Sequence, residues 1–332
     1  MLLDVERAAG ARCLPVEGKA EGNAQGIGSA REAESRRRPR LTAGLAAPGR
    51  GFWGIAAGIG ALDLLGIAWT GLRVEPLGFL AALGAVLVLL AAAFLCSALR
   101  EPKLRAMALA SAYLIAVTTG LAVLHVLAAM PALPLADETL AGIETALGFD
   151  GPAYLAFLAA HPDLARVLAL AYHSSGPQIG LVVVVLSAVG RTGRLWAYAR
   201  LFTLALAACI LVSAFVPAAG TYAAAAVQGR PTGELETVGA LWHLDMLQAL
   251  RDGRFHTLAL FEIRGLVTFP SFHASLAVLT GWALRPVPVI GPLALLLNAT
   301  IVVAAIGAGG HYLPDVMAGA ALAFALVAAR RR

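Results

Sequence analysis

His311 and Asp315 stand four residues apart in the stretch GGHYLPDVMAG, and His273 closes the stretch TFPSFH earlier in the chain. A carboxylate one helical turn from an imidazole can accept the proton of one ring nitrogen and leave the other nitrogen's lone pair free. It also stabilises the ring once the ring gains positive charge. His311 and Asp315 therefore form a nucleophile or base with its orienter, and His273 adds a second imidazole for acid–base work. Pro314 suits only the first turn of a helix, so a helix is predicted to start between His311 and Leu313, with Asp315 in its first turn. Pro270 marks another helix start, where amides around Ser271 to His273 would form an anion site. Gly307, Gly309 and Gly310 leave room for backbone to approach a ligand. This set fits in-line displacement at a phosphate ester, with one histidine attacking phosphorus and the other protonating the departing oxygen. Arg251, Arg254 and Arg264, in the segment before the first of these helices, would hold charge on the equatorial oxygens. Each of them reads equally well as ordinary loop charge.

The elements that must carry these residues are membrane-length. The chain is 59% hydrophobic and only 14% charged, where a soluble domain carries about 25% charged residues. Apolar stretches of near-spanning length fall at roughly 52–72, 76–99, 104–130, 164–189, 197–216, 269–284, 287–307 and 312–329, about eight in all. The fold class expected is all-α, a polytopic integral membrane protein. Two longer connections remain at roughly 131–163 and 217–268. Residues 1–51 are a basic segment rich in Gly, Ala, Arg and Glu, expected to be a disordered cytoplasmic tail. Its run Arg36-Arg37-Arg38-Pro39-Arg40 is followed by no bounded apolar stretch with a cleavage site, which argues against a twin-arginine signal.

Basic residues set the expected orientation. With the amino terminus inside, the cytoplasmic segments hold nineteen Lys and Arg and the opposite side six. The 131–163 stretch has none, but carries Asp137, Glu138, Glu144 and Asp150. Both termini are thus expected in the cytoplasm of a multi-pass cell-membrane protein. His273 and His311 then share one depth on the outer face, and ionisable groups in spans are costly and usually functional. Cys13, Cys96 and Cys209 form neither a disulfide framework nor a paired zinc-ligand pattern. No metal or other cofactor is expected. The expected partner is a membrane lipid, not a nucleic acid. A metal-dependent lipid phosphotransferase would need clustered aspartates on one helix, and the sequence has no such cluster. A transporter would place ionisable residues at mid-membrane depth, where Asp63 and His125 are the only candidates.

TFPSFHA together with GGHYLPDVMAG resembles the second and third signature motifs of the type-2 phosphatidic acid phosphatase superfamily, and more closely its inositolphosphotransferase-like branch, which includes inositol phosphorylceramide synthases. Pro270, Ser271, Phe272 and His273 match Pro-Ser-x-His, and His311 and Asp315 match His-x-x-x-Asp. The resemblance implies a phosphohistidine on His311, orientation by Asp315, and His273 as acid and then base. It also implies a six-helix catalytic core over 104–332, with 52–103 as two additional transmembrane helices. Tyr172, Ser174 and Gln178 are similar to a Tyr-x-Ser…Gln stretch of that branch, which makes Tyr172 and Gln178 candidate substrate-binding residues beside Ser271 and the arginines; helix packing is an equal reading of them. The hydrolase branch's Ser-Arg before the third-motif histidine is replaced by Ala304 and Ala305. Its Lys-x6-Arg-Pro is absent too, because Ala223 stands where the lysine belongs before Arg230-Pro231. These departures imply a lipid phosphotransferase on a phosphate or phosphodiester. A lipid phosphate phosphatase is the alternative, and an inactive relative or transporter a second one.

Overall fold

The computed structural model describes residues 47–223 and 243–330. Nearly all of the expected tail, the Lys-x6-Arg-Pro comparison at Arg230, and the closing Arg331 and Arg332 lie outside the described residues. The described part is all-α and polytopic. In chain order its helices are α1 (Arg50–Thr70), α2 (Pro76–Ala98), α3 (Pro102–Ala129), α4 (Asp137–Ala146), α5 (Gly151–Ala160), α6 (Pro162–His173), α7 (Ser175–Ala188), α8 (Thr192–Phe215), α9 (Leu244–Arg251), α10 (Phe272–Leu284), α11 (Ile290–Gly307) and α12 (Leu313–Ala329). Among them α1, α2, α3, α8 and α11 are long and apolar enough to cross a bilayer, while α7, α10 and α12 are shorter apolar helices.

Two expectations need correction. The single apolar span at 164–189 is broken at Ser174 into α6 and α7. Pro177, three residues past the break, removes an amide donor and crowds the carbonyl one turn back, so one uninterrupted helix is disfavoured. The 131–163 connection is no plain loop either, because it folds into α4 and α5. Asp150 caps α5, accepting from the Ala153 amide at 2.9 Å. Pro162 then opens α6 at an angle of 110° to α5. The residue before a proline is pushed out of helical geometry, and His161 at that corner has φ −128° and ψ 69°.

The core sits between α3, α7, α8, α10 and α12, around Tyr113, Leu121, Leu186, Tyr198, Phe202 and Leu279. Between α3 and α8 the buried hydroxyls of Tyr113 and Thr203 meet at 2.8 Å, the kind of polar link that joins helices in lipid. The α1–α2 hairpin packs on α3. A short parallel bridge, β1 (Arg73–Glu75) with β2 (Thr257–Ala259), ties the tip of that hairpin to the segment leading into α10.

Candidate active site

The two motif helices start side by side. Ser271 caps α10, its Oγ accepting from the Ala274 amide at 3.3 Å. Its own amide donates to the Asp315 carbonyl at 3.0 Å, so this amide is not available to a bound anion as expected. Leu313 opens α12, with Tyr312 as cap and Pro314 in the first turn, as predicted. Asp315 Oδ2 accepts from the Tyr312 amide at 2.9 Å. The same oxygen lies 3.5 Å from His311 Nδ1. That separation is just beyond hydrogen-bond geometry, and such contacts tighten when the ring charges in a reacting complex. His311 Nε2 lies 3.1 Å from Ser271 Oγ. With Nδ1–H facing the carboxylate, Nε2 carries the lone pair and the serine hydroxyl donates to it. His273 stacks on Tyr172, with centroids 4.2 Å apart and planes at 29°. Its Nδ1 lies 2.9 Å from the Tyr172 hydroxyl. The His273 and His311 rings are 6.5 Å apart, centroid to centroid.

Both rings open onto one cavity of about 340 Å³. Apolar side chains of α3 and α8, among them Leu121, Leu206 and Ile210, form its far wall. Five of the chain's seven histidines line it, and Arg264 is the one Lys or Arg among the lining residues. Among the described residues no carboxylate lines it. The site therefore offers imidazoles, one guanidinium and a greasy wall, which suits an anion attached to a hydrocarbon chain.

The other predicted binding residues fall elsewhere. Arg251 donates to the Leu133 carbonyl at 2.7 Å and lines a smaller neighbouring pocket instead. Arg254 is exposed and pairs with Asp252 at 2.9 Å. Gln178 is buried and accepts from Asn298 at 2.8 Å, linking α7 to α11. A satisfied amide held between two helices is a packing device rather than a ligand contact. The glycines also act differently from the expectation. A Cβ on Gly309 would sit 2.8 Å from the Tyr172 hydroxyl and 2.9 Å from His311 Cδ2. Gly309 thus makes room for the site's own side chains rather than for a ligand.

Several supporting residues carried no motif signal. Asp137, at the start of α4, accepts from the Gly220 amide at 2.8 Å, the Ala219 amide at 2.9 Å and the Tyr312 hydroxyl at 3.1 Å. Glu144, about two turns further along the same face of α4, accepts from the Leu313 amide at 2.8 Å. Burial raises the Glu144 carboxyl above its ordinary value, opposed by that amide and reinforced by the charge of Asp315. The 217–222 segment clamps the third-motif loop, with the Thr221 amide on the Gly310 carbonyl at 2.9 Å and the Tyr222 hydroxyl on that of Gly307 at 2.6 Å. Gly220 adopts φ +94°, and a Cβ there would meet the Gly310 carbonyl, so only glycine fits. His243 Nε2 lies 3.1 Å from the Ala219 carbonyl, and burial holds its imidazole below the ordinary value. From α3, His125 Nε2 accepts from the Leu266 amide at 3.1 Å and so steadies the segment that bears Arg264.

Fold and site together define a polytopic helical membrane protein whose paired imidazoles face a lipid-compatible cavity. The sequence profile described as "PAP2 superfamily" matches residues 138–329, more than half of the chain, and the protein belongs to that superfamily. Membership supports a phosphatase- or phosphotransferase-type function. No curated protein and no solved structure matches the chain. The matched region holds both motifs but omits α3, which supplies Thr118, Leu121, Ala122 and His125 to the cavity wall.

Proposed function

We propose that the protein is a lipid phosphotransferase working through a phosphohistidine, with a lipid phosphate or phosphodiester as donor and a site on the extracytoplasmic face. The observation that carries this reading is the convergence of His311, with Asp315 behind it, and His273 on one cavity with an apolar far wall. In the first step His311 Nε2 attacks phosphorus and the bond to the leaving oxygen breaks. That oxygen takes the Nε2 proton of His273, while the Tyr172 hydroxyl accepts from His273 Nδ1–H and holds the ring's direction. Asp315 stabilises the positive charge that develops on His311. In the second step His273 takes the proton of an incoming alcohol or water, whose oxygen attacks phosphorus as the phosphorus–nitrogen bond breaks. Ser271, freed from Nε2, and Arg264 would hold the equatorial oxygens.

Transfer to an alcohol is favoured over hydrolysis by the scarcity of cations. A terminal phosphate carries two charges and a phosphodiester one, and Arg264 is the only guanidinium that the described residues bring to the lining. The same scarcity favours the inositolphosphotransferase-like branch, which typically also lacks the residues replaced here by Ala305 and Ala223. The catalytic unit reads as α3 to α12, with the first hairpin added to it. The deciding experiment offers purified protein phosphatidic acid and, separately, a phosphodiester lipid with a lipid alcohol. Exchange in the second mixture supports the transferase. Brisk phosphate release from the first without exchange in the second replaces it with the phosphatase.

A further inference from the structure

At the end of the bundle opposite the cavity, two helices bring arginines to one indole carried by a third. Arg194, in the first turn of α8, lies over the Trp282 ring at 4.1 Å, and Arg330, capping α12, lies over the same ring at 5.1 Å. Arg194 also donates to the Ala283 carbonyl at 2.8 Å and to that of Trp282. Arg285 caps α10 and Arg191 caps α8, and the like charges of Arg285, Arg330 and Arg191 all act on Arg194. Arg191, Arg285 and Arg330 are exposed, whereas Arg194 and Trp282 are half-buried. Among the described residues none of the four has a carboxylate partner, and Glu101 is the one carboxylate in the described turns at this end.

A general excess of Lys and Arg on one side of a membrane needs no ligand. It does not require cations from two different helices to converge on one ring with no carboxylate partner among the described residues. Carbonyls at the ends of α10 and α12 offset part of this charge, and Arg194 is already engaged with two of them. The remaining forks point to an anion at the depth where a half-buried tryptophan meets water. Guanidinium forks match phosphate oxygens in geometry as well as charge. We propose that Arg191, Arg194, Arg285 and Arg330 form a binding site for the phosphate of an anionic phospholipid headgroup, separate from the catalytic cavity and independent of its chemistry.

The test uses the full chain in neutral detergent, supplied with phosphatidylglycerol or with phosphatidylcholine of the same acyl chains. Retained lipid is counted by native mass spectrometry and the thermal unfolding midpoint is recorded. Phosphatidylglycerol is retained and raises the midpoint, and phosphatidylcholine does neither. A basic residue near an anionic lipid surface contributes about five-fold in affinity, so the double variant Arg285→Gln, Arg330→Gln weakens retention about thirty-fold. Both side chains are exposed, so the variant keeps its fold. The variant Arg100→Gln, Arg105→Gln, at the same end but outside the cluster, retains phosphatidylglycerol as the parent does. Equal retention of the two lipids overturns the site. Equal loss in both double variants also overturns it, because the attraction is then diffuse. So does retention that appears only after residues 1–46 are removed, since the cluster is then occupied by the chain itself.

Discussion

Gly319, in the second turn of α12, lies against the backbone of Ser271, and replacing it with alanine tests whether the two motifs work as one packed unit. A Cβ at this position would meet the Ser271 carbonyl oxygen, with its carbon at 3.0 Å and nitrogen at 3.2 Å. All three are backbone atoms at a helix cap, so no flexible side chain can swing away. Ser275 Oγ donates to the Gly319 carbonyl at 2.6 Å, which holds α10 and α12 at this spacing. In an open helix position, glycine to alanine gains about 1 kcal/mol. Overpacking a tight contact costs about 1–3 kcal/mol, so the net effect on stability is small to moderate. The effect on rate is larger. Separating the two helix starts by about 1 Å moves Ser271 and His273 relative to His311, and a misplacement of that size costs about 100-fold in turnover. Gly84→Ala, in α2, is the matched control, because a Cβ there meets nothing within 4 Å. Turnover with a phosphodiester lipid donor and a lipid alcohol acceptor and the thermal midpoint are measured for parent and both variants. Gly319→Ala should melt within a few degrees of the parent yet turn over far more slowly, with Gly84→Ala unaffected. If Gly319→Ala keeps the control's turnover, the idea that helix spacing sets the catalytic geometry is wrong.

Three further outcomes follow from the site. His311→Ala should leave no covalent phosphoenzyme, while His273→Ala should be slowed least with nitrophenolate as leaving group, since that group needs no proton; acid-quenched labelling and steady-state rates separate the two roles. Asp137→Ala removes the acceptor for two amides and the Tyr312 hydroxyl, and should cost about 3 kcal/mol in denaturant unfolding, with no loss marking the clamp as dispensable. Burial depresses the His243 imidazole, so below about pH 6.5 the unfolded chain binds more protons than the folded one; the associated stability is present above that value and falls with pH, and His243→Gln should flatten that slope.

The proposed catalytic trio and its support differed in how visible they were. His311, Asp315 and Pro314 act within one helical turn, so their spacing in the chain is their spacing in the fold. Asp137 meets Gly220 and Tyr312, and Glu144 meets Leu313, across long separations in sequence. No local pattern announces such pairs, and their charge read only as outer-loop acidity. Arg251 and Arg254 had the right type and neighbourhood, but a carbonyl and an aspartate took them. Gln178 was drawn from resemblance, and Asn298 claims it. Membrane lengths were legible because bilayer thickness fixes them. The break at Ser174 was hidden because the apolar runs on either side add up to one bilayer-spanning length, although the intervening His173-Ser174-Ser175-Gly176-Pro177 is itself polar and helix-breaking.

The bridge between Arg73–Glu75 and Thr257–Ala259 is made by main-chain groups, and it is anchored on both sides by side chains, with Leu258 buried in the core and Glu75 capping the helix that follows it. A fragment cut to the family match would begin at Glu138. It would keep His273, His311 and both motifs. It would also lose Asp137, which accepts from Ala219, Gly220 and Tyr312, lose the α3 wall with His125, and leave the Thr257–Ala259 strand without its partner on the approach to Ser271. Dissection guided by sequence likeness alone would thus yield a piece with all of the reactive groups and only part of the vessel. The contacts that shape the cavity and its approach reach back to the first hairpin, some ninety residues before the recognisable family begins.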